Sequence, residues 1–440
     1  MPPTLSSRLA WFRRGRTAAV PFIMVTIFLD VLSFGLVIPV LPALVTKLSG
    51  GDLATAATWT GGLIAVFAAM QFVAAPVLGA LSDRFGRRSV LLASALGTAV
   101  DHLMMAFAPT LGWLLLARLL SGVTAASFPV ANAYIADITP AEARAGAFGK
   151  LGAAFGLGFI LGPVVGGVLG EIDLRLPFLA AAILAGLSFL YGLLFLPESL
   201  PGDRRSPFRW ARANPVATLR TLGGSPVTLG LAGTFFCLML AMGIMQAVWV
   251  LYTGDRYGWS GTENGLSLAL IGLATAIVQG ALVTPVVARM GERAAVLGGI
   301  ACTFLAFIAY GLAPTGLLFA GAILIHAFGG LSTPTMQGIL TRQVDPTRQG
   351  AVQGAVTSLN NLTFMVAPML GAALLGWSAG AGAVLPLPGL PFLAAAGLVL
   401  AGLVVAARVL ALVCPPGQPS AAPLRPGISA IPTDRSDLPG

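Results

Sequence analysis

Long apolar runs recur along the chain and are separated by short polar stretches. Each run has about 20 residues, the length that an α-helix needs to cross the roughly 30 Å of hydrocarbon in a bilayer. The runs lie near residues 20–44, 59–81, 90–108, 112–136, 148–170, 177–197, 225–253, 264–288, 295–313, 316–341, 350–376 and 390–411. This pattern predicts an all-α integral membrane protein with twelve transmembrane helices in two groups of six.

A basic polar stretch between the sixth and seventh runs divides the chain. We predict an N-terminal segment at 1–19, an N-terminal six-helix bundle at 20–197, a basic linker at 198–224, a C-terminal six-helix bundle at 225–411 and a disordered tail at 412–440. The tail prediction rests on the seven prolines that follow Cys414 in a short polar sequence.

Composition and charge fit a membrane protein and predict its orientation. Hydrophobic residues make up 57% of the chain and charged residues 9%, against about 25% charged in soluble domains. With a cytoplasmic N-terminus, 21 of the 25 Lys and Arg residues lie on the cytoplasmic side, while Lys47, Arg175 and Arg256 face outward and Arg118 lies inside a run. The positive-inside rule therefore predicts that both termini are cytoplasmic. The net charge of +9 suits anionic membrane lipid and calls for no nucleic-acid partner.

The two halves share an internal repeat. Arg84, Gly86 and Arg88 reappear 205 positions later as Arg289, Gly291 and Arg293. Pro163 and Gly166 likewise reappear as Pro368 and Gly371. Two parallel six-helix repeats with a site between them are typical of secondary transporters.

Three motifs resemble those of one transporter family. The loop Gly79-Ala-Leu-Ser-Asp-Arg-Phe-Gly-Arg-Arg88 is similar to the signature loop G-x-x-x-D-R-x-G-R-R of the major facilitator superfamily. Arg118-Leu-Leu-Ser-Gly122 resembles its helix 4 motif. The fifth run resembles the helix 5 motif of the drug/proton antiporters, with Gly158, Gly162, Pro163, Gly166 and Gly167 at the motif positions. The resemblance implies the major facilitator fold.

Within that group, Asp30 and Asp101 most resemble acidic positions of the tetracycline/proton efflux pumps. The resemblance implies a secondary active transporter that exports a drug-like amphipathic compound, tetracycline-type compounds included, in exchange for protons by alternating access. It also implies a bacterial inner (plasma) membrane location, with substrate, protons and lipid as partners and a monomer as the working unit. One position departs from the pattern: those pumps have a further acid in helix 9, where this chain has Gly298-Gly-Ile-Ala-Cys302-Thr303.

Other functions agree less well with the sequence than drug export does. Proton-coupled uptake of a small metabolite by the same fold is the alternative. An enzyme is disfavoured, because the sequence has two histidines and three widely spaced cysteines, with no Ser/His/Asp or metal-ligand grouping. We therefore expect no enzyme activity, no cofactor and no metal site.

Four ionisable residues lie deep in the first six predicted helices: Asp30, Asp101, His102 and Arg118. Asp101 and Arg118 are at similar depth on consecutive antiparallel helices, which makes an ion pair between them plausible. We assign proton coupling to Asp30, Asp101 and Arg118, with Arg118 setting the protonation of the carboxylate. The alternatives are a static pair that locks two helices and, for Asp30, a hydrogen bond that packs helices.

The remaining candidates concern gating, sealing and substrate contact. Gating is expected from the residues of the signature loop with one arginine before helix 5: Asp83, Arg84, Gly86, Arg87, Arg88 and Arg144. Asp83 would pair with a loop arginine such as Arg144, or with the positive start of helix 11 near Gln349 and Gly350; positive-inside charge alone is the alternative. The helix 5 glycines would seal the cavity or serve tight packing alone. Candidate cavity residues are Gln71, Asn132, Gln246, Trp249, Gln279, Gln337, Asn360 and Asn361.

Overall fold

The computed structural model describes residues 5–125, 127–139, 144–200, 205, 225–343, 349–378 and 387–413. Among these residues the regular structure is entirely helical. Cys237 and Cys302 are free thiols. The predicted tail beyond Val413 and most of the predicted linker lie outside the described residues.

Six helical units build the N-terminal bundle. They are α1 (Leu5–Val37, continued by Leu41–Leu48), α2 (Leu53–Phe85), α3 (Arg87–Ala106), α4 (Leu111–Thr124 and Ser127–Ile138), α5 (Arg144–Ile172) and α6 (Leu176–Phe195).

Six more units build the C-terminal bundle. α7 is Pro226–Tyr257, and α8 is Gly261–Ile277 with the π-helical turn Val278–Leu282. The helix Val283–Leu312 is interrupted at Gly291; we assign the part before Gly291 to α8 and the part after it to α9. The last three units are α10 (Gly316–Ala327, a 3-10 turn at Phe328–Leu331, and Ser332–Arg342), α11 (Gln349–Ser378) and α12 (Leu390–Val413).

Ten stretches of described helix are long and apolar enough to cross a membrane. One of them, Gly261–Leu312, has 52 residues and contains both α8 and α9. α4 is missing from the ten because its longer piece, Leu111–Thr124, is too short by itself. With these two features taken into account, the described helices correspond to the twelve predicted runs.

Glycine breaks the helix at the same place in both repeats. Gly86, between α2 and α3, has φ 101°, and Gly291, between α8 and α9, has φ 81°. Residues with a Cβ rarely adopt such angles, so both positions require glycine. The 205-residue repeat in the sequence therefore marks a repeated backbone turn. We call the end of the molecule that holds these two turns the motif face, and the other end the opposite face.

Short polar side chains start several helices at the opposite face. The Asp52 carboxylate accepts a 2.7 Å hydrogen bond from the Thr55 backbone N–H at the start of α2. Ser260 and Glu263 form a capping box at the start of α8. Each cap satisfies backbone N–H groups that have no partner within the helix. These caps fix the residue at which each helix begins after the preceding turn.

The two bundles meet along glycine-lined contacts near the opposite face. A Cβ on Gly61 of α2 would collide with the Pro368 carbonyl of α11. A Cβ on Gly167 of α5 would collide with the carbonyl of Gly261 at the start of α8. All four residues lie in the halves of their helices nearer the opposite face. Backbones this close hold the two bundles against each other at both places, which narrows any passage at the opposite face.

We expect Gly167→Ala to open the opposite face, because the new methyl group has no room against α8. The measurement is maleimide labelling of Val40→Cys, a buried position beside Gly170, in a chain whose native cysteines are replaced. Labelling should become several-fold faster. Gly156→Ala is the matched control on the same helix, since no atom lies within 4 Å of its Cβ position. Equal rates in both variants would contradict the role of this contact.

Candidate transport site

A buried ion pair joins α3 to α4. Arg118 Nη2 donates a 2.6 Å hydrogen bond to Asp101 Oδ2, and the two residues are 5% and 0% exposed. The guanidinium also donates to Met105 Sδ and lies 5.6 Å from the centre of the Phe67 ring. The sequence brings the two charges together because the turn after Ala106 returns the chain antiparallel, so that residues of similar depth meet. The predicted pair is therefore present.

The burial of this pair decides what it can do. Removal of one partner leaves an uncompensated charge in a low dielectric, which costs about 3–5 kcal/mol. Both charges therefore stay together unless water or a proton reaches them. A proton on Asp101 would weaken its hold on Arg118, so the pair can act as a switch only when the pocket becomes accessible.

Asp30 lies in a different contact, between α1 and α6. Its Oδ1 accepts a 2.9 Å hydrogen bond from the Ser188 hydroxyl, and the side chain is half-buried. This bond fits the helix-packing alternative and leaves proton exchange open, because a half-buried carboxylate can still reach water. Ser188 was not predicted. The signal for it is a lone small hydroxyl in the otherwise apolar α6, where Tyr191 is the other residue with a hydroxyl group.

Arg87 is the centre of a charged cluster at the motif face. Its Nη1 lies 2.6 Å from Asp83 Oδ1 and its Nε lies 3.1 Å from Asp137 Oδ2. Arg87 thus ties the end of α2 to the end of α4. Asp83 was expected to pair with a loop arginine such as Arg144 or with the start of α11, and its partner here is Arg87, an arginine of the signature loop itself. The side chains of Arg144 and Gln349 lie outside the described residues, and Gly350 is described only as helical backbone.

Glu198, just after α6, completes the motif cluster, which we define as Asp83, Arg87, Asp137 and Glu198. Glu198 Oε1 accepts a 2.9 Å hydrogen bond from the Arg87 backbone N–H and so caps α3. Its carboxylate fills the space where Gly86 would carry a Cβ. Arg88 donates to the Leu193 carbonyl at 2.6 Å. The loop is therefore bound to the end of α6.

Two members of this cluster, Asp137 and Glu198, were not predicted from the sequence. Arg84, which was predicted to take part in gating, lies outside the cluster. Asp137 lies one residue beyond the predicted fourth run, and Glu198 opens a segment that was assigned as a basic linker. An acid at a helix end facing a row of arginines was the available signal. Arg84 is exposed, and its guanidinium lies over the neighbouring Phe85 ring at 5.1 Å.

The small residues of α5 serve two neighbours. Cβ positions on Gly158, Gly162 and Gly166 abut the backbone of α1. Gly167 and the Pro163 carbonyl instead abut α8, across the boundary between the bundles. The predicted small-residue face therefore packs tightly, which is the simpler of the two interpretations, and its α8 side also takes part in closing the opposite face.

Trp249 is not a cavity residue, which corrects the sequence prediction. It is 1% exposed and packs against Tyr310, Phe319 and Phe392 inside the C-terminal bundle. Its indole N–H donates a 3.0 Å hydrogen bond to Ser267 Oγ, so it needs no polar partner in a cavity.

The other cavity candidates retain some exposure. Partly exposed are Gln71, Asn132, Gln246, Asn360 and Asn361, and exposed are Gln279 and Gln337. Their side chains remain candidates for substrate contact. In the part of the chain that the structure describes, no group of three or more His, Cys, Asp or Glu side chains could hold a metal ion.

Known proteins are similar to this chain in sequence and in fold. The Major Facilitator Superfamily model matches residues 23–316 and 254–435. The chain belongs to this superfamily. It is 43% identical to the "Tetracycline resistance protein, class C" of Escherichia coli over 81% of this chain and 89% of that protein. It is 40% identical to the class G protein of Vibrio anguillarum over 83% and 94% of the two chains.

A solved structure agrees with this family assignment. The human organic anion transporter MFSD10 (TETRAN) superposes with a TM-score of 0.65 at 26% identity, over 89% of this chain and 99% of that chain. In the present chain, the superfamily fold carries the buried ion pair between α3 and α4 and the charged cluster at the motif face.

A double-mutant cycle tests whether Asp101 and Arg118 act as one unit. Asp101→Asn and Arg118→Gln should each lower the free energy of unfolding by about 3–5 kcal/mol, because each leaves a buried group without its partner. The double variant should lose much less than the sum. Denaturant unfolding in detergent micelles gives the values. Strictly additive losses would show that the two groups do not interact.

Arg87→Lys tests the centre of the motif cluster. An ammonium group cannot reproduce the two separate contacts that a guanidinium makes with Asp83 and Asp137. The melting temperature in detergent should fall by several degrees. Arg84→Lys, at an exposed position in the same loop, should leave it unchanged. Equal melting temperatures for both variants would contradict a stabilising role of the Arg87 contacts.

Proposed function

We propose that this protein exports a drug-like amphipathic compound in exchange for protons, by alternating access across a bacterial inner membrane. Tetracyclines are the first candidates, because the relatives named above are tetracycline resistance proteins at 43% and 40% identity over most of their length. Proton coupling rests on the carboxylates of the N-terminal bundle. The observation that carries the proposal is the buried pair of Asp101 and Arg118 at 2.6 Å.

The orientation follows from charge. The motif face carries Arg84, Arg87 and Arg88, and the positive-inside rule places such loops in the cytoplasm. Both termini then lie in the cytoplasm as well. In this orientation the bundles touch near the periplasmic face, and that contact supports an inward-facing state for the described conformation. Export would begin with substrate entering from the motif face.

The motif cluster is proposed to gate the cytoplasmic side. Arg87 holds Asp83 and Asp137 within the N-terminal bundle while the cytoplasmic side is open. Closure would bring the start of α11 toward Asp83, whose side chain is 41% exposed and therefore free to make a second contact. Coupling of this kind is typically about 1–3 kcal/mol.

Substrate recognition is proposed to differ from that of pumps with an acid in helix 9. Here the corresponding part of α9 is apolar and packed: Gly299 and Thr303 are buried, and Gly299 abuts Ser332 of α10. A chelated cation would find no carboxylate at this place. A susceptibility panel in a host without its own pumps, with tetracyclines, fluoroquinolones, chloramphenicol and cationic dyes, identifies the substrate class. Unchanged susceptibility to every compound would reject drug export.

Asp30→Asn should abolish export driven by a pH gradient in proteoliposomes, because the amide retains the hydrogen bond to Ser188 but cannot bind a proton. Ser188→Ala is the matched control: it removes that hydrogen bond and keeps the carboxylate, so transport should continue. Full activity of Asp30→Asn would leave Asp30 with packing alone. Loss of activity in Ser188→Ala together with full activity of Asp30→Asn would assign the whole effect to packing.

A further inference from the structure

The imidazole of His102 is a buried titratable group next to the ion pair, and the exchange described above does not use it. His102 follows Asp101 in α3, and its side chain is 4% exposed. Its Nε2 lies 4.0 Å from Asp101 Oδ2, the oxygen that binds Arg118. Three ionisable groups thus share one pocket between α3 and α4.

Asp101 and His102 each carry one buried polar atom without a hydrogen-bond partner. Asp101 Oδ1 is buried and accepts no hydrogen bond, and His102 Nδ1 has no partner either. A neutral imidazole has one N–H donor, while the charged form has two. Protonation of His102 would therefore put an N–H on both ring nitrogens, and one of these, Nε2, lies 4.0 Å from Asp101 Oδ2.

A proton can bind here to Asp101 or to His102, and the two sites differ in their effect on the hydrogen bond between Asp101 and Arg118. On Asp101 it would weaken the 2.6 Å bond and leave the Arg118 charge uncompensated. On His102 it leaves that bond in place, and the carboxylate lies between two cations. Both events add one positive charge to the pocket. His102 thus offers the binding site that preserves the ion pair.

Few other charges act on this imidazole. The helices packed against α3 are α2, α4 and α6. Among their described residues, Arg118 is the charged group at the depth of His102. The remaining ionisable groups are nearer the ends of these helices or on α1 behind α6: Asp83, Arg84, Asp137, Arg175, Tyr191 and Asp30.

We propose that His102 is a proton-exchanging residue of the pair's pocket, with Asp101 as its counter-ion and Arg118 as the group that keeps Asp101 ionised. The proton arrives from a hydronium ion as the pocket opens to water, forms an N–H bond on the imidazole, and returns to water when the pocket opens to the other side. No other bond forms or breaks. The inference rests on the proposed proton exchange for its role in transport.

The chain has two histidines, His102 and His326, so their protonation can be read directly. The full chain, labelled with ¹⁵N-histidine and purified through a tag without histidine, is reconstituted in liposomes and titrated by solid-state NMR. His326→Gln leaves His102 as the single signal; if that variant does not fold, His102→Gln assigns the two signals by difference. We expect the His102 signal to change from the neutral to the charged form, and Asp101→Asn to shift the titration to lower pH. A His102 that remains neutral throughout the folded range would overturn the inference.

Transport supplies a second readout. His102→Gln should reduce pH-driven export at least tenfold and alter its pH profile, while export by His326→Gln keeps the wild-type profile. An unchanged profile in His102→Gln would overturn the inference. Failure of the proposed function looks different: the wild-type chain would transport no tested compound, while the NMR titration of His102 would still occur.

Discussion

The absence of water in the bilayer is the constraint on which this structure depends. Backbone groups must then find partners within the chain, which is why every described element is a helix. The same constraint acts on charges. Asp101 and Arg118 remain in the membrane because each neutralises the other at 2.6 Å. Neither can move alone without leaving its partner as an unpaired charge in a low dielectric. A group under that restriction responds strongly to a single proton.

The two repeats meet this constraint in different ways. The N-terminal bundle holds Asp101 and Arg118 between α3 and α4, and Asp30 between α1 and α6. At the equivalent place in the C-terminal bundle, α9 and α10 contribute Tyr310, Phe319 and His326 to an aromatic core. Aromatic packing of this kind stabilises a bundle without any need for charge. The asymmetry is consistent with the proposed proton exchange in the first bundle.

Glycine permits both closure and movement. Gly61, Gly167 and Gly261 let the bundles touch through their backbones at the opposite face. Contacts of this kind gain dispersion energy from close approach and involve no long side chains, so they can separate as a unit. At the motif face the opposite principle applies: Arg87 and Glu198 bind helix ends through directional charged contacts. One face closes by shape and the other is organised by charge.

The sequence by itself determined the apolar runs and the repeat, and it placed Asp101 and Arg118 at similar depth. Run lengths fix the spans, and two consecutive antiparallel helices bring residues of equal depth to the same level in the membrane, while the contact between the two side chains was decided by the tertiary structure. The positive φ at Gly86 and Gly291 likewise confirms the repeat, which the sequence shows as the same residue types 205 positions apart. Run lengths, depths and repeat spacings depend only on the order of residues along the chain, so they can be taken from the sequence.

Only the tertiary structure decided which way each helix turns its side chains. Rotation of α7 placed Trp249 in the bundle core against Ser267, although its residue type suited a cavity. Rotation of α6 brought Ser188 to Asp30, and the return of the chain after α6 brought Glu198 to the start of α3. In a uniformly apolar helix the polar and apolar pattern does not distinguish the lipid side from the protein side. Such choices are made by packing between helices distant in sequence.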